Sequence, residues 1–150
     1  MKMNRRGVTL IELIVVMVII AIGATLTVPA IGRWIPNFRL RSATRDLVST
    51  MRTAQVKAVS SNTSYGVAFG TSGANSYRVY RGVDPDGPAT LLPNGVAFEN
   101  NTFPIDATLS KPFAQFNGNS TSSSGGVTLK NSNRNHRITV AAATGRVKID

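Results

Sequence analysis

The sequence contains no cysteine, which excludes a disulfide framework, a thiolate metal site and a cysteine nucleophile. Acid is scarce as well: 7 Asp+Glu stand against 17 Lys+Arg, a formal charge of +10. A balance of that size points to polyanions such as nucleic acid or anionic lipid or, more simply, to membrane topology and solubility. The one histidine, His136, is flanked by Arg134 and Arg137, cations that discourage both its protonation and metal binding. Asp84 and Asp86 lie two apart, but in a Pro/Gly turn, where Asp serves backbone hydrogen bonding. There is no nucleophile, base and orienter set, no phosphate-cradling glycine loop and no metal-ligand spacing. An enzyme is not expected, and neither a cofactor nor a metal is called for. At 150 residues the chain has room for one domain and an anchor, without a second globular unit.

What is present is a concentrated apolar segment. The mean hydropathy of +0.01 is high for a soluble domain with so many basic residues, and the apolar content gathers at residues 8 to 32. Residues 1 to 7, MKMNRRG, carry Lys2, Arg5 and Arg6 and give way abruptly to VTLIELIVVMVIIAIGATLTVPAIG. From Leu13 to Gly32 no charge occurs, and a helix of that length crosses a hydrocarbon core of about 30 Å. The basic flank before it implies a cytoplasmic N-terminus and a translocated C-terminal part. Three readings are open: an uncleaved signal anchor, an ordinary signal peptide cut after its apolar region, and a leader cut before it. Proline within Val28-Pro29-Ala30 makes the ordinary site a poor one, which leaves the first and third.

Glu12 is the informative oddity, because a charge within the bilayer costs roughly 2.5 to 3.5 kcal/mol even on a lenient scale. Arg5-Arg6-Gly7 followed by Val8-Thr9-Leu10-Ile11-Glu12-Leu13 resembles the leader junction of type IV pilins and pseudopilins. The resemblance implies that prepilin peptidase cuts after Gly7 and methylates the new amine of Val8, where the family usually has phenylalanine. Glu12 then corresponds to the family's fifth-position glutamate, a carboxylate paired with the amine of a neighbouring subunit that sets the register of assembly. A buried carboxylate needs such a cation. Gly23 and Pro29, a poor helix former and a lost backbone donor, are expected to let the helix between them loosen in the filament.

Beyond the anchor, Pro36 is expected to interrupt the helix and Asn37 to cap a new one. Leu40, Ala43, Leu47, Met51, Ala54 and Ala58 recur at spacings of three and four, which predicts an amphipathic helix to about Ser60. Its other faces carry Arg39, Arg41, Arg45, Arg52 and Lys57. Strands are expected at 65–69, 77–83, 89–98, 108–116, 127–130, 137–140 and 146–149. They are separated by turn signals at 84–87 and 93–95 and by the low-complexity tract 117–126, NGNSTSSSGG, expected to be a mobile loop. The last 14 residues read as a hairpin turning at 142–145. The result is an α+β fold, a long N-terminal helix packed on an antiparallel β-sheet domain. Its segments are a leader (1–7), a transmembrane and polymerisation helix (8–32), an amphipathic helix (33–62) and a β-rich periplasmic domain (63–150).

The order of helix, TMRTAQVKAVSSN at 50–62, first strand at Tyr65 and terminal TGRVKI at 144–149 resembles the FimT/GspH family of minor pilins and minor pseudopilins. The resemblance implies a subunit that primes or caps a type II secretion pseudopilus or type IV pilus. Its implied partners are prepilin peptidase, other pilin or pseudopilin subunits and, before assembly, inner-membrane lipid. A second reading adds sequence-independent contact with double-stranded DNA. Residues 33–150 alone carry 14 Lys+Arg and 6 Asp+Glu, so that part is basic in its own right. Gly145-Arg146-Val147-Lys148 resembles a Gly-Arg-x-Arg motif of DNA-binding FimT-type subunits, with Arg134 and Arg137 adding charge nearby and Gly145 letting the backbone approach a ligand. A third reading is an uncleaved signal-anchored protein unrelated to filaments.

Overall fold

The computed structural model describes residues 8–71 and 73–150, the side chains of residues 26–33 excepted. Helix α1 (Leu10–Ser61) is followed by strands β1 (Tyr65–Phe69), β2 (Ser76–Arg81), β3 (Asp84–Pro85), β4 (Thr90–Leu91) and β5 (Ala97–Asn101). Then come β6 (Ile105–Asp106), β7 (Lys111–Phe116), β8 (Gly125–Lys130), β9 (Asn135–Val140) and β10 (Val147–Ile149). The chain divides into two compact units, one ending at Ile35 and the other Pro36–Asp150.

In the first unit the helix starts on a side-chain cap. Thr9 Oγ1 accepts the backbone N–H of Glu12 at 3.4 Å, and the Thr9 carbonyl accepts the N–H of Leu13 at 3.3 Å. Thr9-x-x-Glu12 has the spacing of a capping box, with the glutamate in the first turn, where the helix dipole favours a negative charge.

The helix does not stop at Pro36, contrary to the sequence expectation. Proline removes one ladder bond at a cost of about 3 kcal/mol, but the turns on either side retain theirs, and the division into units, not a helix end, falls here. Asn37 is therefore inside the helix rather than at its N-cap, and its Oδ1 accepts from Asn131 Nδ2 at 3.3 Å.

The helix ends in a Schellman arrangement. Asn62 adopts a left-handed φ of 48°, its N–H bonds to the Val59 carbonyl, and the N–H of Thr63 reaches back to the Ala58 carbonyl at 3.2 Å. Asparagine tolerates that conformation better than most residues with a Cβ, so the stop is written in the sequence.

The second unit places two antiparallel sheets, among the described residues, with the helix. One has the order β3-β2-β1-β7-β6 with β4 also on β2, and the other runs β10-β9-β8-β5. The helical residues Leu40, Ala43, Leu47, Met51, Ala54 and Ala58 are all buried, as their spacing predicts. They join one core with Val67, Phe116, Val127, Leu129 and Ile138 from the sheets. Phe69 of β1 meets Phe98 of β5 edge to face at 5.5 Å and stacks on Phe103 at 5.6 Å, so an aromatic cluster joins the two sheets. Gly66 in β1 lies beneath the Phe113 ring, where no Cβ fits.

One strand, one turn and one loop expectation change in detail. The run 89–98 is split by the Pro93-Asn94-Gly95 turn into β4 and β5, since proline offers no ladder donor and Gly95 takes a positive φ of 86°. Asp84–Pro85 within the 84–87 turn pairs back on β2 as β3. The tract 117–126 is held by hydrogen bonds: Asn117 N–H to the Thr121 carbonyl, Ser122 N–H to Ala142, and Ser123 N–H to Gln115. Gly125 and Gly126 already belong to β8. Short hydroxyl and amide side chains bond to nearby backbone, which organises a stretch whose composition suggested mobility.

Candidate assembly interface

The N-terminal part of α1 is apolar on every face. From Leu10 to Ile22 all large apolar side chains are exposed, and Glu12 is the one charge among them. A helix that is hydrophobic all round belongs in lipid or among other helices. Among the described residues no helix is long and apolar enough to cross a membrane, the described side chains of this part ending at Thr25. Of the expected processing site, Gly7 lies outside the described residues, and Val8 is 74% exposed immediately before the cap. Gly23 lies within the helix with nothing within 4 Å of the place a Cβ would take, and position 29 also falls inside α1.

On the helical part of the second unit the basic residues divide into two sets. Arg39 donates to the Asn94 carbonyl at 3.2 Å, and Lys57 pairs with Asp86 at 2.7 Å while lying 5.8 Å from the Tyr65 ring centre. These two tie the helix to the sheets. Arg41, Arg45 and Arg52 instead line a cleft beside β10. His136, expected at the surface, is half-buried on β9 and lines the same cleft with Arg41 and Arg45.

The basic hairpin forms as the sequence implies, Val147 opposite Val140, Lys148 opposite Thr139 and Ile149 opposite Ile138. Arg137, Arg146 and Lys148 are exposed, and Arg134 lies in the turn before β9. Two features differ from the nucleic-acid reading of this region. Lys148 is paired with Asp150 at 2.6 Å, and Asp150 also accepts from Thr139 Oγ1 at 3.0 Å. The bond to Lys148 first, then that to Thr139, hold the Asp150 carboxyl below its usual value, with the charges of Lys148 and Arg137 adding to them. Gly145 is not open to a ligand: it is buried, with φ of 62°, and a Cβ there would stand 2.7 Å from Gln55 Nε2. Its role is close approach to the helix, a long-range contact that no local sequence signal carries. The Thr9 cap, which the sequence reading missed, has a local signal that could have found it, Thr-x-x-Glu before an apolar run.

Among the described residues no group of three His, Cys, Asp or Glu could hold a metal ion. Residues 43–144 match the family model described as type II transport protein GspH, and residues 2–28 match the prokaryotic N-terminal methylation motif. The fold is similar to that of the minor pseudopilin EpsH from the Type 2 Secretion System of Vibrio cholerae, at 10% identity and a TM-score of 0.60, covering 75% of this chain and 96% of that one. It is similar also to the type IV minor pilin FimU of Pseudomonas aeruginosa strain PAO1 in two crystal forms. In one the identity is 11% and the TM-score 0.57, covering 76% of this chain and 90% of that one. In the other they are 12% and 0.55, covering 74% and 92%. No curated protein sequence matches the chain. At such identities the likeness is one of fold.

Proposed function

Because the chain belongs to the GspH family of type II transport proteins, we propose that it is a minor pilin or pseudopilin that primes or caps the assembly of a type II secretion pseudopilus or type IV pilus. The observation that carries this reading is the coincidence, within residues 2–28, of the methylation motif with a basic leader, an all-apolar helix start and Glu12 in its first turn. Prepilin peptidase removes residues 1–7 and methylates Val8. Before assembly the apolar segment holds the subunit in the inner membrane as a single span, N-terminus in the cytoplasm and β-domain in the periplasm. In the filament Glu12 pairs with the terminal amine of a neighbouring subunit, and the segment between Gly23 and Pro29 loosens. The subunit acts through contacts rather than through a reaction. Ion pairing of Lys148 and burial of Gly145 speak against a DNA-binding hairpin.

Mass spectrometry of the N-terminus tests the reading. The mature chain is expected to begin at Val8 with a methylated amine, and a bulky residue in place of Gly7 to leave a membrane-bound precursor. Intact chain beginning at Met1 in cells with active prepilin peptidase would overturn it.

A further inference from the structure

In the sheet β10-β9-β8-β5, β10 is an edge strand that, among the described residues, pairs with β9 alone. Lys148 lies opposite Thr139; the Asp150 N–H bonds to the Arg137 carbonyl of β9, and the Arg146 carbonyl accepts the N–H of Ala141, the residue just after β9. By the alternation of an antiparallel ladder, the N–H and C=O groups of Val147 and Ile149 then face the open side. Such a row is a template for another strand.

Beside this edge runs the flank of α1, and between them lies a cleft of about 460 Å³ lined by Arg45, Val48, Arg52, Val56 and Ile149 among others. It continues past Ile149 into a smaller hollow of about 190 Å³ that Arg41 and His136 also line. The floor is apolar and open: Val56 is 67% exposed and Ile149 43%. Three arginines stand along it, and no acid is among the lining residues. Asp46, the acid on this stretch of helix, receives a 3.5 Å bond from Ser42 Oγ and lies near Tyr77 in the other sheet.

We propose that this cleft takes an extended segment of another polypeptide, adding as a strand to β10 with acid, apolar and acid side chains on alternate residues facing the helix. The central apolar side chain covers Val48, Val56 and Ile149. The acids meet Arg45 and Arg52, with Arg41 beyond. Residues 45 and 52 lie about 10 Å apart along the helix axis, and two acids four residues apart in a strand lie about 13 Å apart, within the reach of long arginine side chains. A second copy of this chain cannot supply the segment, because no two of its acidic residues are four apart. A nucleic acid would match the arginines but neither the apolar floor nor the free strand edge. This is strand addition to a sheet edge, with backbone bonds giving affinity and side chains giving selectivity. It does not depend on processing or on membrane insertion.

The test uses the full chain in detergent micelles and a fluorescently labelled peptide, Ser-Glu-Thr-Val-Thr-Glu-Ser, with Lys in place of Glu as its control. Anisotropy is expected to report binding of the Glu peptide at low salt and none of the Lys peptide. Amide exchange at Val147 and Ile149 is expected to slow on saturation, while Lys148, already bonded to β9, stays unchanged. Arg45→Gln with Arg52→Gln, both at exposed positions, is expected to weaken binding about tenfold without changing Tm. Equal binding of the Lys peptide, no binding at millimolar peptide, or binding without slowed exchange at those two amides would overturn the proposal. So would displacement of the peptide by duplex DNA that leaves those amides unprotected, or their protection by self-association without peptide.

Discussion

Gln55 on helix α1 donates from Nε2 to the carbonyl oxygen of Thr144 at 3.1 Å, joining residues 89 apart in sequence. The next residue, Gly145, presses its backbone against the same amide. Gly145→Ala is therefore expected to destabilise the protein by about 1 to 3 kcal/mol, combining left-handed backbone strain with a steric clash. Adding Gln55→Ala should recover the steric part and leave the backbone part. Urea unfolding of the two single variants and the double variant gives that coupling directly, and strict additivity would show that the two residues do not share a contact.

The buried stripe of α1 gives a contrast within one helix. Leu47 is fully buried, whereas Val56 is mostly exposed on the cleft flank. Leu47→Ala is expected to cost about 2 to 5 kcal/mol, and Val56→Ala to stay within about 0.5 kcal/mol. Thermal melts followed by circular dichroism will separate the two. Similar losses at both positions would mean that the described face is not the one that packs.

The Lys57–Asp86 pair links stability to alkaline pH. The hydrogen bond to Asp86 is the largest influence on Lys57 and raises its pKa above 10.5, opposed by desolvation and aided by the charges of Asp86 and Tyr65. A raised folded pKa stabilises fully below the unfolded value, and that contribution is lost as pH rises through the folded one. Both side chains are well exposed, at 46% and 35%, so solvent screening holds the effect to about 1 kcal/mol or less. Lys57→Gln should lower stability slightly at pH 7, and the difference from the parent should vanish at strongly alkaline pH or in high salt. A difference that grows with pH would contradict the pairing.

Much of the fold was legible because it is local. The spacing from Leu40 to Ala58 named the buried helix face, and the turn residues at 142–145 separated the last two strands, whereas the signal at 93–95 was noted without dividing the run 89–98. The Pro36 expectation was wrong because a single lost bond does not end a helix whose neighbouring turns remain bonded. What could not be read were partners distant in sequence. Gln55 with Thr144, Arg39 with Asn94 and Asn37 with Asn131 are brought together by the sheet order, and no residue spacing encodes them. The bond between Asp150 and Thr139 likewise depends on the β9–β10 register.

Two roles for Glu12 make different demands on its side chain. Its backbone N–H is capped by Thr9 Oγ1, a bond that any side chain at position 12 leaves intact, whereas registry with a neighbour's amine needs the carboxylate itself. Glu12→Leu should therefore keep the helix start and ease membrane insertion, because an apolar residue removes a cost of roughly 2.5 to 3.5 kcal/mol. Incorporation into filaments should fall sharply, since a neighbour's buried amine would lose its counter-charge. Glu12→Gln keeps shape and hydrogen bonding but not charge, and is expected to resemble Glu12→Leu in assembly. Thr9→Val removes the cap alone and should weaken the first turn by about 1 kcal/mol with little effect on incorporation. Membrane fractionation measures insertion, and co-purification with sheared filaments measures assembly. Wild-type incorporation of Glu12→Leu would reduce Glu12 to a first-turn residue favoured by the helix dipole.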